Sequence, residues 1–233
     1  MTAFALTLSM RSILCCLILG WSTLALAAPH EHPEPVVLAP GYSPLEFTPP
    51  EPGSYQLPPM GLAADGQILL SSGKSAALHS LLGDKPVLLS FIFTRCDDVN
   101  GCPLATYVMR GVAKRLQRDT ETHNAVRLVS FSFDPEFDTP AILSAYGDQF
   151  RDPGTDWAFV TSASDLALEQ ILSDYGQWVI RDIDDEGQFL GNMSHVLRVF
   201  LIDTDKRIRN IYSTSFLHAD TVSSDIRTLL AEQ

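Results

Sequence analysis

Residues 85–118 read KPVLLSFIFTRCDDVNGCPLATYVMRGVAKRLQR, and a change of period within them decides the fold. Residues 87–93 form a nearly continuous apolar run, which suits a central strand buried on both faces. Beyond Cys102, the apolar residues Leu104, Val108, Val112 and Leu116 recur every fourth position and so line one face of a helix running to about Arg118. Pro103 fits the first turn of that helix, where a missing amide hydrogen costs nothing. Two cysteines, Cys96 and Cys102, stand between strand and helix, separated by the residues DDVNG.

Working outward, the same alternation continues. VRLVSFSF at 126–133 reads as a second strand, and Thr139 is placed to cap a helix that starts at Pro140 and turns Leu143 and Tyr146 inward. WAFV at 157–160 is a short third strand. Ser164 then caps a helix with Leu168, Ile171 and Leu172 on its inner side. The glycine-punctuated GQWVIRDIDDEGQFLGNMS predicts a hairpin excursion, HVLRVFLID a long strand, and IRNIYS its antiparallel neighbour across the DTDK turn. A last helix opens at Asp220 or Thr221 and faces the sheet with Val222, Ile226 and Leu229. On the N-terminal side, DGQILLSSG predicts a short strand or hairpin and residues 76–82 a short helix. This order calls for an α/β domain with a mixed sheet flanked by helices. Thioredoxin-like architecture satisfies it, and places active cysteines in the loop between the first core strand and the first helix.

The N-terminal quarter adds no second domain. Arg11 is followed by the apolar run SILCCLILGWSTLALA, and Ala25-Leu26-Ala27 offers a cleavage site, so residues 1–28 read as a secretory signal peptide. Left uncleaved, the run would be a short anchor, just under the roughly 20 apolar residues of a full span. Residues 29–56 are rich in proline and predict an extended linker before a domain at 57–233. His30 and His32 belong to this linker composition and have no preformed ligand geometry. The expected compartment is the periplasm or another exported space, with membrane association only through the N-terminal segment.

Export simplifies the cysteine count, because Cys15 and Cys16 leave with the signal and only Cys96 and Cys102 remain. The whole chain carries a formal net charge of −12. Without Arg11 it has 15 basic against 28 acidic side chains, a net of −13. Such a balance argues against nucleic acid, whose backbone is met by concentrated positive charge.

A thiol acts as nucleophile or metal ligand only as thiolate. The helix N-terminus at Cys102 and the neighbouring Arg95 favour that form, and Asp97 and Asp98 oppose it. The C-x5-C loop must fold back to bring the sulfurs together, and Asn100-Gly101 is the expected reversal. Three readings follow: a redox-active pair that exchanges disulfides with a partner, two ligands of a metal site, or a single structural staple. Two cysteines are too few for a structural zinc site, whereas thiolates with an imidazole suit copper as Cu(I) or Cu(II). His195, at the start of HVLRVFLID, is the best-placed third ligand. His79, His123 and His218 read as structural or solvated. Asn192-Met193-Ser194 and the acidic DIDDEG lack the context that would make them a glycosylation or calcium site.

FIFTRC followed by GCPL, then SFDPEFDTPAIL with a downstream YG, and a histidine eight residues before the aspartate of HVLRVFLID together resemble the SCO/SenC family. The resemblance covers about residues 52–230. It implies a thioredoxin-like, exported or membrane-tethered protein that binds copper through Cys96, Cys102 and His195. It further implies delivery of copper to the copper centre of cytochrome c oxidase or a related copper enzyme, or reduction of that centre's cysteines. The implied partners are a copper-accepting oxidase subunit and a thiol reductant. The resemblance also places Asp134-Pro135 in a loop near the site. The family pattern is C-x-x-x-C with proline after the first cysteine, and this chain departs from it with C-x5-C and Asp97.

Overall fold

Residues 35–232 are described by the computed structural model; the expected signal segment with Cys15 and Cys16, together with His30 and His32, lies outside the described residues. Along them run β1 (Gly61–Leu62), β2 (Gln67–Leu70), β3 (Ser75–Ala77), β4 (Val87–Ile92), α1 (Cys102–Gln117), β5 (Arg127–Ser132) and α2 (Pro140–Phe150). These are followed by β6 (Trp157–Ser162), α3 (Asp165–Asp174), β7 (Val179–Ile183), β8 (Phe189–His195), β9 (Val199–Ile202), β10 (Arg207–Tyr212) and α4 (Ala219–Ala231). Eight strands form one sheet in the order β1-β10-β9-β4-β5-β6-β2-β3, and β7 and β8 pair separately.

The apolar run quoted above is the centre of this sheet. Every residue of β4 is buried, with β5 parallel on one side and β9 antiparallel on the other. Serines break the apolar pattern at Ser90 and Ser130, which lie opposite each other in the β4–β5 register. Their hydroxyls are 3.2 Å apart, and Ser130 also accepts the indole N–H of Trp157, so these buried polar groups are satisfied. α1 buries Leu104, Val108, Val112 and Leu116, the residues of its four-residue period, and packs against β4 and α4. The result is a mixed α/β sheet flanked by helices, consistent with a thioredoxin-like fold, with a hairpin excursion.

Three local differences from the sequence reading have physical causes. The short helix expected over 76–82 is confined to a 3-10 helix at Leu78–Leu81, because the residues before it pair as β3 with β2. HVLRVFLID is not one strand. His195 ends β8, opposite Val179 of the hairpin, and the sheet strand β9 begins only at Val199. At α2, Thr139 makes no side-chain cap, whereas Ser164 at α3 accepts the Ala167 N–H as expected.

Most of the proline-rich stretch is also held in place. From Val37 it belongs to the same compact unit as the rest of the chain and runs as a strap across α1 and α4. Gly41 sets the closest approach, since a Cβ there would overlap the Leu217 carbonyl oxygen and press on Leu104 and Val108. Farther along, the His218 Nε2–H donates to the Ser43 carbonyl, Ser224 to that of Pro50, and Tyr55 to the Asp225 carboxylate. Proline composition does predict the absence of regular structure, but an extended chain can still find partners for its carbonyls.

Candidate metal centre

The strand that carries the core also delivers the first cysteine. Past Ile92, the backbone N–H of Thr94 donates to Asp138 at 3.0 Å, and the hydroxyls of Thr94 and Ser132 bond the same carboxylate. Burial raises the Asp138 carboxyl, against the donors that favour its charge. The β4–α1 loop is thereby fixed at its entrance. Its reversal differs from the expected left-handed Asn100-Gly101 turn: Gly101 has φ −97°, and Asn100 is not among the residues with positive φ. Asp98 makes the turn instead, its carboxylate accepting the Asn100 N–H at 3.0 Å and its carbonyl the Gly101 N–H at 2.9 Å. A Cβ at 101 would press on Asp98 at 3.2 Å and reach the Cys96 sulfur at 3.4 Å, so a larger residue fits there only if the loop gives way.

The second cysteine is the first residue of α1 and is buried, with the Phe93 N–H directed at its sulfur. The third group arrives from the hairpin. His195, at the end of β8, puts Nε2 3.3 Å from Cys102 Sγ, while its ring meets Phe133 edge-on at 4.8 Å and lies near Phe93. Its Nδ1 is buried without a hydrogen-bond partner. One donor atom from each of Cys96, Cys102 and His195 lies within 4.8 Å of the others, and among the described residues these three are the group able to hold a metal ion. Thiolate and imidazole ligands at ordinary bond lengths of about 2.0–2.3 Å stand roughly 3.5–4 Å apart. A slight contraction would therefore seat an ion, and the soft donors suit copper.

The two thiols are electrostatically unequal, a difference that the sequence left open. Cys96 is lowered to about 5, first by the hydrogen bond from Cys102 and then, against the cost of burial, by His195 and the backbone N–H groups of Cys102 and Asp98. Cys102 is pushed up by burial, reinforced by the neighbouring Cys96. The helix N-terminus thus serves Cys96, whose charge it meets through the Cys102 N–H, and Cys102 remains a thiol. Arg95 is engaged elsewhere, bonded to buried Asp134 at 2.8 Å and lying over the Phe137 ring.

Asp134 has a larger role than ending its strand. Besides Arg95 of the cysteine loop, it faces Arg181 of β7 at 3.7 Å, and Arg181 also pairs with Glu136 at 3.0 Å. Phe189 of β8 lies against both guanidinium groups. One carboxylate therefore links the loop that carries Cys96 to the hairpin that carries His195. Sequence reading missed Arg181, Phe189 and Asp138; the SFDPEFDTP segment signalled only a turn near the site. Of the other histidines, His79 bonds the Ala63 carbonyl, His218 caps α4, and His123 is exposed. The acidic DIDDEG is the hairpin turn, with Asp184 accepting the N–H groups of Glu186 and Gln188.

Residues 67–231 match the SCO1/SenC family model. The SCO1 protein homolog of Bacillus subtilis is 27% identical over 157 residues, covering 67% of this chain and 76% of that one. The structure of BsSco, a member of the Sco family of cytochrome c oxidase assembly proteins in which a disulfide switch was identified, aligns with a TM-score of 0.58 at 25% identity. That alignment covers 76% of this chain and 98% of BsSco. Copper-bound ScoI of Bradyrhizobium japonicum shares the fold with a TM-score of 0.59 at 24% identity, over 72% of this chain and 99% of its own.

Proposed function

Because the chain belongs to the SCO1/SenC family, we propose that it carries copper on Cys96, Cys102 and His195 and hands it to a copper-accepting subunit of cytochrome c oxidase or a related copper enzyme. The observation that carries this reading is the convergence of two sulfurs and one imidazole nitrogen within 4.8 Å. Its donor set is soft enough for Cu(I), and the nitrogen allows Cu(II) as well. Copper is cargo here, so the protein acts as a metallochaperone. The family relative BsSco, described as an oxidase assembly protein, supports the same class of acceptor. Transfer proceeds by replacing the protein's ligands one at a time with those of the acceptor. The signal-like N-terminal sequence supports an exported, periplasmic location; among the described residues no helix is long and apolar enough to cross a membrane.

Anaerobic copper titration of the reduced protein tests the assignment. About one tightly held copper per chain is expected, with retention falling sharply in C96A, C102A and H195A. Undiminished tight binding in either cysteine variant would remove those residues from the site.

The inequality of the two thiols favours a second activity on the same residues. The partly exposed Cys96 thiolate can attack a partner disulfide, forming a mixed disulfide and releasing one partner thiolate. Cys102 then attacks the Cys96 sulfur and releases the second partner thiolate, which takes up the proton that Cys102 gives up. The partner disulfide is reduced by two electrons as the Cys96–Cys102 disulfide forms. This mechanism predicts that Cys102→Ser accumulates a mixed disulfide through Cys96 with an oxidised acceptor domain, whereas Cys96→Ser does not. Equal trapping by both variants would contradict the assigned order of attack.

A further inference from the structure

The longer cysteine loop has a fastening of its own. Its residues 97–100 make hydrogen bonds beyond the loop at three points, all to one short piece of the strap, residues 37–42. The Asn100 side-chain oxygen accepts the Ala39 N–H at 2.7 Å, and its amide nitrogen donates to the Val37 carbonyl at 2.8 Å. The Tyr42 hydroxyl donates to the Val99 carbonyl. A carboxamide holds one acceptor and two donors on one planar group, so it can satisfy the N–H and the C=O of an extended backbone at once. Neither an aspartate nor a serine at position 100 reproduces that pair.

The strap is a firm anchor at this place. Ala39 and Gly41 are buried, Gly41 is pressed onto α1 where no larger residue fits, and the Ser43 carbonyl accepts from His218 of α4. Within the loop, by contrast, Asp97, Asp98 and Val99 are exposed. Five residues between two ligands carry more backbone freedom than the three of the usual family spacing, at about 1–2 kcal/mol for each residue that must be fixed. An unfastened loop of this length would let the Cys96 sulfur wander from Cys102 and His195.

We infer that Asn100 is a positioning residue of the metal centre and that residues 37–42 are its anchor, so that the strap holds the extended loop in the shape that brings Cys96 to the other two donors. The inference deepens the copper reading and rests on it for the identity of the ion, but the fastening itself is a property of the metal-free protein. By reciprocity, an ion bound by the fastened loop also steadies the strap.

The test compares the full chain with Asn100→Ala, Tyr42→Phe and their combination, with Tyr55→Phe as a strap variant that loses a bond remote from the cysteines. In the metal-free reduced protein, Asn100→Ala should speed alkylation of Cys96 and hydrogen exchange at the Asn100 and Gly101 amides by about tenfold, the loss of one or two hydrogen bonds. Tyr42→Phe should show a smaller effect of the same kind, the combination a larger one, and Tyr55→Phe none. Cu(I) competition against a chelator should show about tenfold weaker retention in Asn100→Ala, with its circular dichroism unchanged. Unchanged exchange and alkylation in Asn100→Ala would overturn the fastening, and so would an equal effect from Tyr55→Phe. Faster exchange with undiminished copper retention would overturn the positioning role. If the unaltered chain retains no copper while Asn100→Ala still loosens the loop, the copper reading fails and the fastening stands.

Discussion

At the scale of single residues, the site turns on which sulfur carries the charge. Cys96, lowered to about 5, is a thiolate throughout the neutral range, and Cys102, raised by burial, is not. For an acid whose folded value lies below its ordinary one, the favourable interactions of the charged form are fully present above the ordinary thiol range. They diminish below it and are lost as pH falls through about 5. Alkylation of Cys96 should accordingly reach half its plateau rate near pH 5, while Cys102 stays slow up to alkaline pH; mass spectrometry of each labelled cysteine measures both. A Cys96 profile with its midpoint near the ordinary thiol value of 9.0 would contradict the site's electrostatics. The sequence made the residue types legible but left open which of the two sulfurs carries the charge. Helix N-termini favour thiolates in general, yet here the cysteine on the helix is the buried one. Burial depends on packing by Phe93 and the hairpin, which spacing does not encode.

At the scale of elements, the cysteines belong to the β4–α1 junction and the histidine to a hairpin outside the main sheet. Period alone identified β4 and α1, because a double-sided buried strand and a one-sided helix leave different apolar patterns. The end of β8 was not legible, since HVLRVFLID is apolar on both sides of the break and no glycine or proline marks it. Nor was the bridge through Asp134, because Arg95, Asp134 and Arg181 are far apart in sequence and meet only when the hairpin folds over the loop. Arg181→Ala removes the hairpin's half of that bridge and leaves Arg95 on Asp134. Hydrogen exchange in β7 and β8 should quicken, and copper retention should fall by about three- to tenfold, the loss expected of a partly buried ion pair. Protection in β4 and β5 should be unaltered, and uniform loosening of the whole sheet would show that Arg181 supports the fold at large.

At the scale of the molecule, alternating strands and helices sufficed for a thioredoxin-like α/β architecture because each local pattern agreed with the global one. Proline-rich composition was a poorer guide. It predicted the lack of regular structure in residues 37–56 but could not report that this stretch lies against α1 and α4, since it is held by its backbone N–H and C=O groups, two tyrosine hydroxyls and one close approach at Gly41. The fold therefore includes a piece of chain that composition would assign to a spacer.

The separation of β7 and β8 from the eight-stranded sheet has a consequence for the order in which the cargo is released. A two-stranded ribbon outside the sheet, held to the rest of the chain mainly by the Asp134 bridge and side-chain packing, opens at lower cost than strands in the middle of a sheet. Under the proposed copper reading, the imidazole would be the tether that lifts away first, leaving the ion to meet an incoming acceptor on the two sulfurs with one flank bare.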